Sequence, residues 1–394
     1  MTLKLHGKIL LWFRGFRARK GRWLPAGGEA SYARGMTPHP RCEIIAEAGV
    51  NHDGREDLAL RLVEAAAETG ADTVKFQTFD PAELSTAAAP TAAYQAEAGQ
   101  GAVQSEMLSR LVLPRDALSR VVDHAGACGV RFLSTPFDIG SAQLLVEGLG
   151  MERIKVGSGE LTNLPFLLAL ARMGRPLLLS TGMATLAEVE QALGCVVFGR
   201  VAGAAAAPSL AAFAEAFASP EAAPVLAETV VMQCTTQYPA PHDQANLSVM
   251  DAYAALGVRP GYSDHTLGID IALAAVARGA TVIEKHLTLD RTAEGPDHKA
   301  SLEPDEMAAL VAGARRVSEA LGDPVKRPVA AEIPNIAVAR RGLVAARPIA
   351  AGEVFSADNL AARRAGGGLA PGRLWDLIGR PATRAYAADE IIEA

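Results

Sequence analysis

The feature that most constrains this chain is a repeated alternation of short, β-branched apolar runs with helix-like stretches, starting near residue 42. Ile44-Ile45-Ala46, for example, precedes a stretch over 56–69 whose apolar residues recur three and four positions apart. Eight such units follow one another. This alternation predicts a parallel sheet, and eight units of this length favour a closed (β/α)8 barrel. An open doubly wound sheet with one miscounted strand is the alternative.

Polar side chains follow the apolar runs at every predicted strand end. In a parallel barrel these ends meet on one face, and active sites lie on that face. A single strand-end serine is commonly a turn residue, and a single lysine commonly reaches solvent. Their joint occurrence at all eight ends favours an active site. The residues are Glu47, Lys75, Gln77, Ser134, Thr135, Lys155, Ser158, Glu160, Ser180, Thr181, Thr235, Thr236, Tyr238, Ser263, Asp264, His265, Glu284 and His286.

The types of side chain at these ends indicate the chemistry. Lysines, hydroxyls and the Gly157-Ser158-Gly159 turn offer donors to an anion with several oxygens, such as a phosphate or a phosphorylated carboxylic acid. His265 and His286 follow adjacent strands and can share a divalent metal that keeps open positions. Glu47 supplies a base. The pattern predicts a phosphate-bearing substrate, a metal and a carbonyl for the metal to polarise.

Composition excludes several functional classes. The chain has 394 residues, a formal charge of −6 and no basic face, which argues against nucleic-acid binding. No apolar run approaches the roughly 20 residues of a membrane span. The four cysteines form no CxxC pair, so we expect a reducing, cytoplasmic compartment.

Residues 1–35 differ from the rest of the chain. They contain eight Lys or Arg residues against one acid, Glu29. The apolar run over 9–13 is too short for the core of a signal peptide, which has roughly 7–15 residues. Three interpretations remain: a mis-assigned start upstream of Met36, a disordered basic arm, or a targeting segment. We treat 1–35 as an extension outside the fold.

The rest of the chain divides into a barrel domain, a linker and a small module. The barrel is predicted over 42–321, with a long connection at 80–113 that contains Tyr94 and Gln95 and could form a lid. A second connection, 198–228, is predicted to be a surface excursion with some helix. Prolines in 322–334 indicate an extended linker. Short strands and tight glycine turns predict a small, mainly β module over 335–394.

The chain resembles the sialic acid synthases, enzymes that condense phosphoenolpyruvate and make nonulosonic acids. The resemblance covers about 42–394, and the C-terminal segment resembles that family's antifreeze-like (SAF) domain. The barrel segments that carry it, in order, are Ile45-Ala46-Glu47-Ala48-Gly49-Val50-Asn51-His52, Val74-Lys75-Phe76-Gln77-Thr78, Phe132-Leu133-Ser134-Thr135-Pro136-Phe137, Lys155-Val156-Gly157-Ser158-Gly159-Glu160, Leu179-Ser180-Thr181-Gly182-Met183, Cys234-Thr235-Thr236-Gln237-Tyr238-Pro239, Tyr262-Ser263-Asp264-His265-Thr266, Glu284-Lys285-His286 and Gly295-Pro296-Asp297-His298.

The resemblance implies a role for each matching residue. His265 and His286 would bind Mn²⁺, with Mg²⁺ or Co²⁺ as alternatives, and Glu47 and Glu160 would be the acid/base candidates. Gln77, Tyr238, Asp297 and Arg364 would face the acyl-amino sugar. Phosphoenolpyruvate would be held by Lys75, Thr135, Lys155, Ser158, Ser180 and Ser263.

The implied activity is that of an N-acetylneuraminate (sialic acid) synthase that joins phosphoenolpyruvate to N-acetylmannosamine. An alternative acceptor is a 2,4-diacetamido-trideoxy sugar, which would give diacetyllegionaminic acid. Two further alternatives are a metal-dependent aldolase or lyase and a non-catalytic glycan-binding protein. The resemblance also implies a homodimer in which the C-terminal module of one subunit, through Arg364, reaches the active site of its partner.

Overall fold

The protein is described by a computed structural model covering residues 41–86, 89–90, 103–203 and 205–393. Of these residues, those up to Asp323 form one compact unit and those from Pro324 onward form another. The predicted extension 1–35 and the predicted lid residues Tyr94 and Gln95 lie outside the described residues.

The first unit is built on eight parallel strands in the order β3-β2-β1-β8-β7-β6-β5-β4. Adjacent strands in this order are hydrogen-bonded in parallel, and β3 and β4 lie side by side and complete the ring. The prediction of a (β/α)8 barrel is therefore confirmed. The strands are β1 (Glu43–Gly49), β2 (Thr73–Thr78), β3 (Arg131–Pro136), β4 (Ile154–Val156), β5 (Leu177–Ser180), β6 (Val230–Gln233), β7 (Arg259–Asp264) and β8 (Val282–His286).

Helices connect the strands, and the longer ones bury apolar side chains. In α1, Ala59, Leu62, Val63 and Ala66 recur at helical spacing and are fully buried. The helices of this unit are α1 (Glu56–Glu68), α2 (Pro81–Leu84), α3 (Gln104–Arg110), α4 (Arg115–Cys128), α5 (Ile139–Gln143), α6 (Leu164–Arg172), α7 (Leu186–Val201), α8 (Leu210–Phe217), α9 (Ala222–Glu228), α10 (Met250–Ala255), α11 (Asp270–Ala277) and α12 (Pro304–Leu321). Among the described residues, no helix combines the length and apolar character that a bilayer span needs.

The segment 198–228 contains the predicted helix, and that helix is packed against the barrel. The Phe213 ring of α8 lies 5.3 Å, centroid to centroid, from that of Phe198 on α7. Gly194 lets the two helices approach, because a Cβ there would collide with the Phe213 carbonyl. Val225 and Leu226 of α9 are also buried in the core. The segment thus extends the helical layer without entering the site.

The second unit has a core of its own. Its strands β9 (Gly342–Ala345) and β10 (Leu360–Arg363) pair antiparallel, and isolated bridges join Val344 to Ile391 and Ile349 to Tyr386. Apolar side chains including Leu343, Ile349, Phe355 and Ile392 form its core. Before β9, a short 3₁₀ turn at Ala330–Glu332 leads into α13 (Ile333–Ala339), so the second half of the proline-rich segment is helical. α14 (Leu374–Leu377) completes the unit.

Candidate active site

The carboxyl ends of the barrel strands open into one cavity of about 340 Å³. A roomier groove of about 700 Å³ beside Phe79 and Phe166 has no lysine or histidine among its described lining residues, so the polar cavity is the better catalytic candidate. The barrel residues to which the family resemblance assigns a role all line the polar cavity: Glu47, Lys75, Gln77, Thr135, Lys155, Ser158, Glu160, Ser180, Tyr238, Ser263, His265, His286 and Asp297. Of the other predicted strand-end residues, Thr236 and Glu284 line it, whereas Ser134, Thr181, Thr235 and Asp264 do not. Arg364 belongs to the C-terminal unit.

The two-residue period of the strands determines which side chains reach the cavity. On β8, Glu284 and His286 line it, whereas Lys285 between them is buried elsewhere. At the end of β7, Ser263 and His265 line it and Asp264 does not. The register of β1 against β8 pairs Glu47 with His286, and both side chains line the cavity.

Two lysines and two glutamates form a buried charge network in the floor of the cavity. The Lys75 Nζ lies 2.7 Å from Glu47 Oε2 and 3.6 Å from Glu284 Oε2. The Lys155 Nζ lies 3.3 Å from Glu284 Oε1, which also accepts a hydrogen bond of 2.8 Å from the Ser263 hydroxyl. Lys75 donates a further bond of 3.1 Å to the Thr135 hydroxyl. All of these side chains are at least nine-tenths buried, so the charges interact with little solvent screening.

The two carboxyl groups of the network have very different pKa values. Burial, reinforced by the negative charge of Glu284, raises the pKa of Glu47 to about 7 despite the nearby Lys75. Burial also acts to raise the pKa of Glu284, but the ammonium groups of Lys155 and Lys75 outweigh it and hold that pKa well below its usual value. Two carboxyls with such different pKa values suit distinct roles, one in proton transfer and one as a fixed charge.

His265 and His286 face each other at the mouth, with ring centroids 5.7 Å apart. The Nδ1 of His265 donates a hydrogen bond of 2.7 Å to the Thr235 carbonyl, so the lone pair of the neutral ring is on Nε2. Burial lowers the pKa of His265 to about 4, and burial with the neighbouring His265 lowers the pKa of His286. Both rings are therefore neutral near pH 7, as metal binding requires.

The two imidazoles fit a divalent metal that also takes ligands from substrate or water. The Nδ1 of His286 is buried and has no hydrogen-bond partner among the described residues, which suits a nitrogen awaiting a ligand. Asp297 Oδ2 lies 3.8 Å from that nitrogen. Within the described residues, no group of three or more His, Cys, Asp or Glu side chains is arranged to hold a metal by itself.

Gln77, Tyr238 and Asp297 also line the cavity. The Gln77 amide donates a hydrogen bond of 3.1 Å to Glu47 Oε1, and the Tyr238 ring lies 4.1 Å from that of His265. Burial raises the pKa of Asp297 to about 6. Glu160 sits on the 3₁₀ turn Ser158–Glu160 and accepts a bond of 2.7 Å from Asn163, at the rim of the cavity.

Hydroxyl groups line the side of the cavity formed by β4 and β5. Ser158 accepts a hydrogen bond of 3.0 Å from the Gly182 backbone N–H, and its Oγ lies 3.1 Å from the Cys234 sulfur. The buried Ser180 hydroxyl has no partner among the described residues. A Cβ at Gly182 would collide with the Thr236 and Ser158 hydroxyls, so a larger residue there would displace both side chains. The unpartnered Ser180 hydroxyl and the Ser158 hydroxyl line the same cavity as Lys155, and such a set of donors suits an anion with several oxygens.

Two parts of the site have no predicted role. The first is Glu284, a strand-end residue two positions before His286, a spacing that indicates that both side chains face the mouth. An apolar wall formed by Phe79, Met107 and Leu111 also lines the cavity, together with Val50, Leu84, Leu108 and Phe137. The sequence allows a lid over the mouth in 80–113, which contains α3, but its local pattern does not indicate which residues line the cavity, because that depends on how the long connection folds back.

Comparisons with known proteins agree with this architecture. The NeuB family model matches residues 62–326, and the SAF domain model matches residues 340–394. The N,N'-diacetyllegionaminic acid synthase of Campylobacter jejuni is 42% identical, over 89% of this chain and 98% of that relative. The enzyme of the same name from Legionella pneumophila is 40% identical, over 86% and 89%.

A solved structure of a related enzyme has a similar fold. The N-acetylneuraminic acid (sialic acid) synthetase of Leptospira borgpetersenii superposes with a TM-score of 0.60 at 29% identity, covering 76% of this chain and 91% of its own. The match to the family model spans more than half of the chain and includes most of the barrel that carries the polar cavity. The chain belongs to the NeuB family of synthases and carries a C-terminal SAF domain.

Proposed function

We propose that this protein condenses phosphoenolpyruvate with the open-chain aldehyde of an N-acyl amino sugar to form a nonulosonic acid and inorganic phosphate. The observation that carries the proposal is the buried network of Lys75, Lys155, Glu47 and Glu284 beside two neutral imidazoles. Simple aldol cleavage needs no phosphate pocket, so two buried lysines near several hydroxyls favour a phosphorylated substrate. A non-catalytic protein would have no use for a buried carboxyl with a pKa near 7.

The donor end of the cavity holds phosphoenolpyruvate in this proposal. Lys75 and Lys155 bind its anionic groups, and the hydroxyls of Thr135, Ser158, Ser180 and Ser263 donate further hydrogen bonds. The metal, Mn²⁺ with Mg²⁺ or Co²⁺ as alternatives, is held by His265 and His286. When bound, it supplies a Lewis acid that polarises the acceptor carbonyl.

The protein's own groups handle the protons. C3 of phosphoenolpyruvate forms a bond to the aldehyde carbon, the aldehyde oxygen takes a proton, and water adds at C2. The C2–O bond to phosphate then breaks, and the C2 hydroxyl loses its proton as the carbonyl forms. Glu47, beside Lys75 and with a pKa near neutrality, is the group best suited to exchange these protons. Glu160 at the rim is the second candidate.

The acceptor is proposed to be a 2,4-diacetamido-2,4,6-trideoxy sugar. The two relatives at 40% identity or above are named diacetyllegionaminic acid synthases. The wall of Phe79, Met107 and Leu111 suits the methyl group at C6 of such a sugar, because burying a methyl against apolar atoms is favourable. N-acetylmannosamine is the second candidate, since the superposed Leptospira structure is named a sialic acid synthetase.

We also propose a domain organisation and an assembly. The barrel domain spans 42–321, the linker 322–334 and the SAF domain 335–394, and two subunits exchange their SAF domains in a homodimer. The separate core of the C-terminal unit supports its independence. The four cysteines are all free thiols, which supports a reducing, cytoplasmic setting.

Phosphate release with a panel of acceptors tests the proposal. The protein is incubated with phosphoenolpyruvate, Mn²⁺ and one of three sugars: N-acetylmannosamine, 2,4-diacetamido-2,4,6-trideoxymannose, or its analogue with a 6-hydroxyl. We expect release with the trideoxy sugar and a kcat/KM for the 6-hydroxyl analogue that is lower by on the order of 10²-fold, the discrimination that an apolar pocket achieves against an added hydroxyl. Glu47→Gln should lower kcat by about 10²–10⁴. Absence of release with every sugar would exclude the proposed activity.

A further inference from the structure

Glu284 occupies an unusual place in a cavity proposed to bind an anion. Its carboxylate is buried at 4% exposure and lies between the two lysines, 3.3 Å from the Nζ of Lys155 and 3.6 Å from that of Lys75. It also accepts the hydrogen bond of Ser263. The lysines and the serine that would hold phosphoenolpyruvate therefore already contact one anionic group of the protein, the Glu284 carboxylate.

The contacts of Glu284 are incomplete. Its Oε2 is buried and has no hydrogen-bond partner within the described part of the chain. A buried carboxylate oxygen without a donor is costly, so the arrangement needs a compensating reason. The compensation lies in the lysines: the Glu284 carboxylate lies within 3.6 Å of both ammonium groups and offsets part of their charge before any ligand enters. Without Glu284, two buried ammonium groups would share one carboxylate, which is unfavourable.

An incoming phosphate group would meet the same lysines and a fixed negative charge at the same time. The lysines attract it, while the Glu284 carboxylate repels it across a site that water screens poorly. The carboxylate therefore weakens the hold on any phosphate-bearing ligand. Such weakening is useful in an enzyme whose product is inorganic phosphate, because a site that holds phosphate too tightly releases it slowly.

We propose that Glu284 is a built-in counter-anion: it holds Lys75, Lys155 and Ser263 in place in the ligand-free cavity and limits the affinity of the site for phosphate. It is a positioning residue, since it acts through the lysines and the serine. The inference rests on the proposed function, because it assumes that this cavity binds phosphoenolpyruvate and releases phosphate.

The test compares the affinity of the wild-type protein and Glu284→Gln for inorganic phosphate by calorimetry. Glutamine keeps the shape and an oxygen for Ser263 but removes the charge. We expect the Kd for phosphate to fall by roughly tenfold or more, and phosphate to become a correspondingly stronger product inhibitor. Glu284→Asp, which keeps the charge, should stay close to wild type. Glu190→Gln, which removes an exposed carboxylate on α7 that does not line the cavity, should leave the Kd for phosphate unchanged.

Each outcome decides the question. Weaker or unchanged phosphate binding by Glu284→Gln would overturn the inference. If the variant folds only in phosphate buffer, the added anion replaces the missing carboxylate, which supports it. If it folds under neither condition, Glu284 is a structural residue and the inference falls. If the wild-type protein releases phosphate with an acceptor sugar but Glu284→Gln binds phosphate less tightly, the inference about Glu284 is wrong and the proposed function stands. A wild-type protein that neither binds nor releases phosphate refutes the proposed function as well.

Discussion

The Lys75 ammonium lies 2.7 Å from the Glu47 carboxylate, and both side chains are buried at the mouth of the barrel. Burial acts to lower the pKa of Lys75, but its two carboxylate neighbours outweigh burial and raise that pKa, so the ammonium stays charged. Burial raises the pKa of Glu47 to about 7. A permanent cation is thus held beside a carboxyl that titrates near neutrality, an arrangement suited to proton exchange with a bound substrate.

The raised pKa of Glu47 predicts a pH-dependent cost in stability. A carboxyl whose folded pKa lies above its unfolded value of 4.5 contributes stability that is fully present below pH 4.5 and lost as the pH rises through about 7. Glu47→Gln does not titrate. We therefore expect the free energy of unfolding of wild type, relative to Glu47→Gln, to fall by on the order of 2 kcal/mol between pH 5 and pH 8.

Urea denaturation followed by far-ultraviolet circular dichroism at both pH values measures this difference. Glu190→Gln, an exposed position on α7, is the control and should not reproduce it. A wild-type protein that gains stability relative to Glu47→Gln as the pH rises would contradict the raised pKa.

Metal removal should abolish turnover. His265 and His286 are the neutral, buried nitrogen donors of the cavity, and Lewis-acid polarisation of a carbonyl is worth several kcal/mol of barrier. We expect chelation to stop phosphate release and added Mn²⁺ to restore it. His265→Ala and His286→Ala should each lose most activity and show weaker Mn²⁺ binding in calorimetry. Full activity after exhaustive demetallation would point instead to a lysine that forms a Schiff base with the substrate.

The buried ion pair behind the site should be important for stability. Lys285 and Asp264 are fully buried, 2.8 Å apart, and Lys285 also donates to the Thr266 carbonyl. Lys285→Met leaves Asp264 charged and unpaired in the core, so we expect a loss of about 3–5 kcal/mol in unfolding free energy. Arg278→Ala removes an exposed ion pair with Asp251, whose N–O distance of 2.6 Å is similar. It should lower the free energy of unfolding by less than about 1 kcal/mol. Similar losses in both variants would show that burial does not set the difference.

The sequence predicts the barrel and most of the site for a local reason. Each strand is an apolar run that ends in polar residues. The side-chain period of two places Ser263 and His265 of β7 and its end, and Glu284 and His286 of β8, on the same cavity side of the barrel. The same period turns Asp264 and Lys285 away from the cavity. That these two residues pair across β7 and β8 could not be predicted, because it depends on the register between the strands.

Other parts of the structure depend on long-range packing. Met107 lines the cavity because α3 folds back over the mouth, and nothing in the local pattern of 104–110 indicates this. The helix Ile333–Ala339 forms although Pro334 lies in it, since proline is tolerated in the first turn, where no backbone hydrogen bond is lost. Proline density alone therefore predicted an extended segment where part of it is helical.

Arg364 provides a test of the proposed exchange of SAF domains. It is exposed on the C-terminal unit, and its neighbours are already engaged: Arg363 pairs with Asp389, and Arg384 pairs with Glu390. No ion pair involves Arg364 within the described residues, so its guanidinium is available to another partner. We expect Arg364→Ala to raise KM for the sugar far more than KM for phosphoenolpyruvate, because a charge-assisted hydrogen bond is worth about 1.5–3 kcal/mol. Arg363→Ala is the matched control and should leave both KM values near wild type.

Mixing two inactive variants distinguishes reach into a partner from action within one chain. In a homodimer of C2 symmetry with exchanged SAF domains, each site combines Glu47 of one subunit with Arg364 of the other. A mixed dimer of Arg364→Ala and Glu47→Gln subunits then holds one site with both native residues and one with neither. After subunit exchange, verified by mass, activity should recover toward roughly half of wild type per mixed dimer. If the SAF domain served its own barrel, every site in the mixture would keep one defect, and verified mixed dimers would stay as inactive as the two parents.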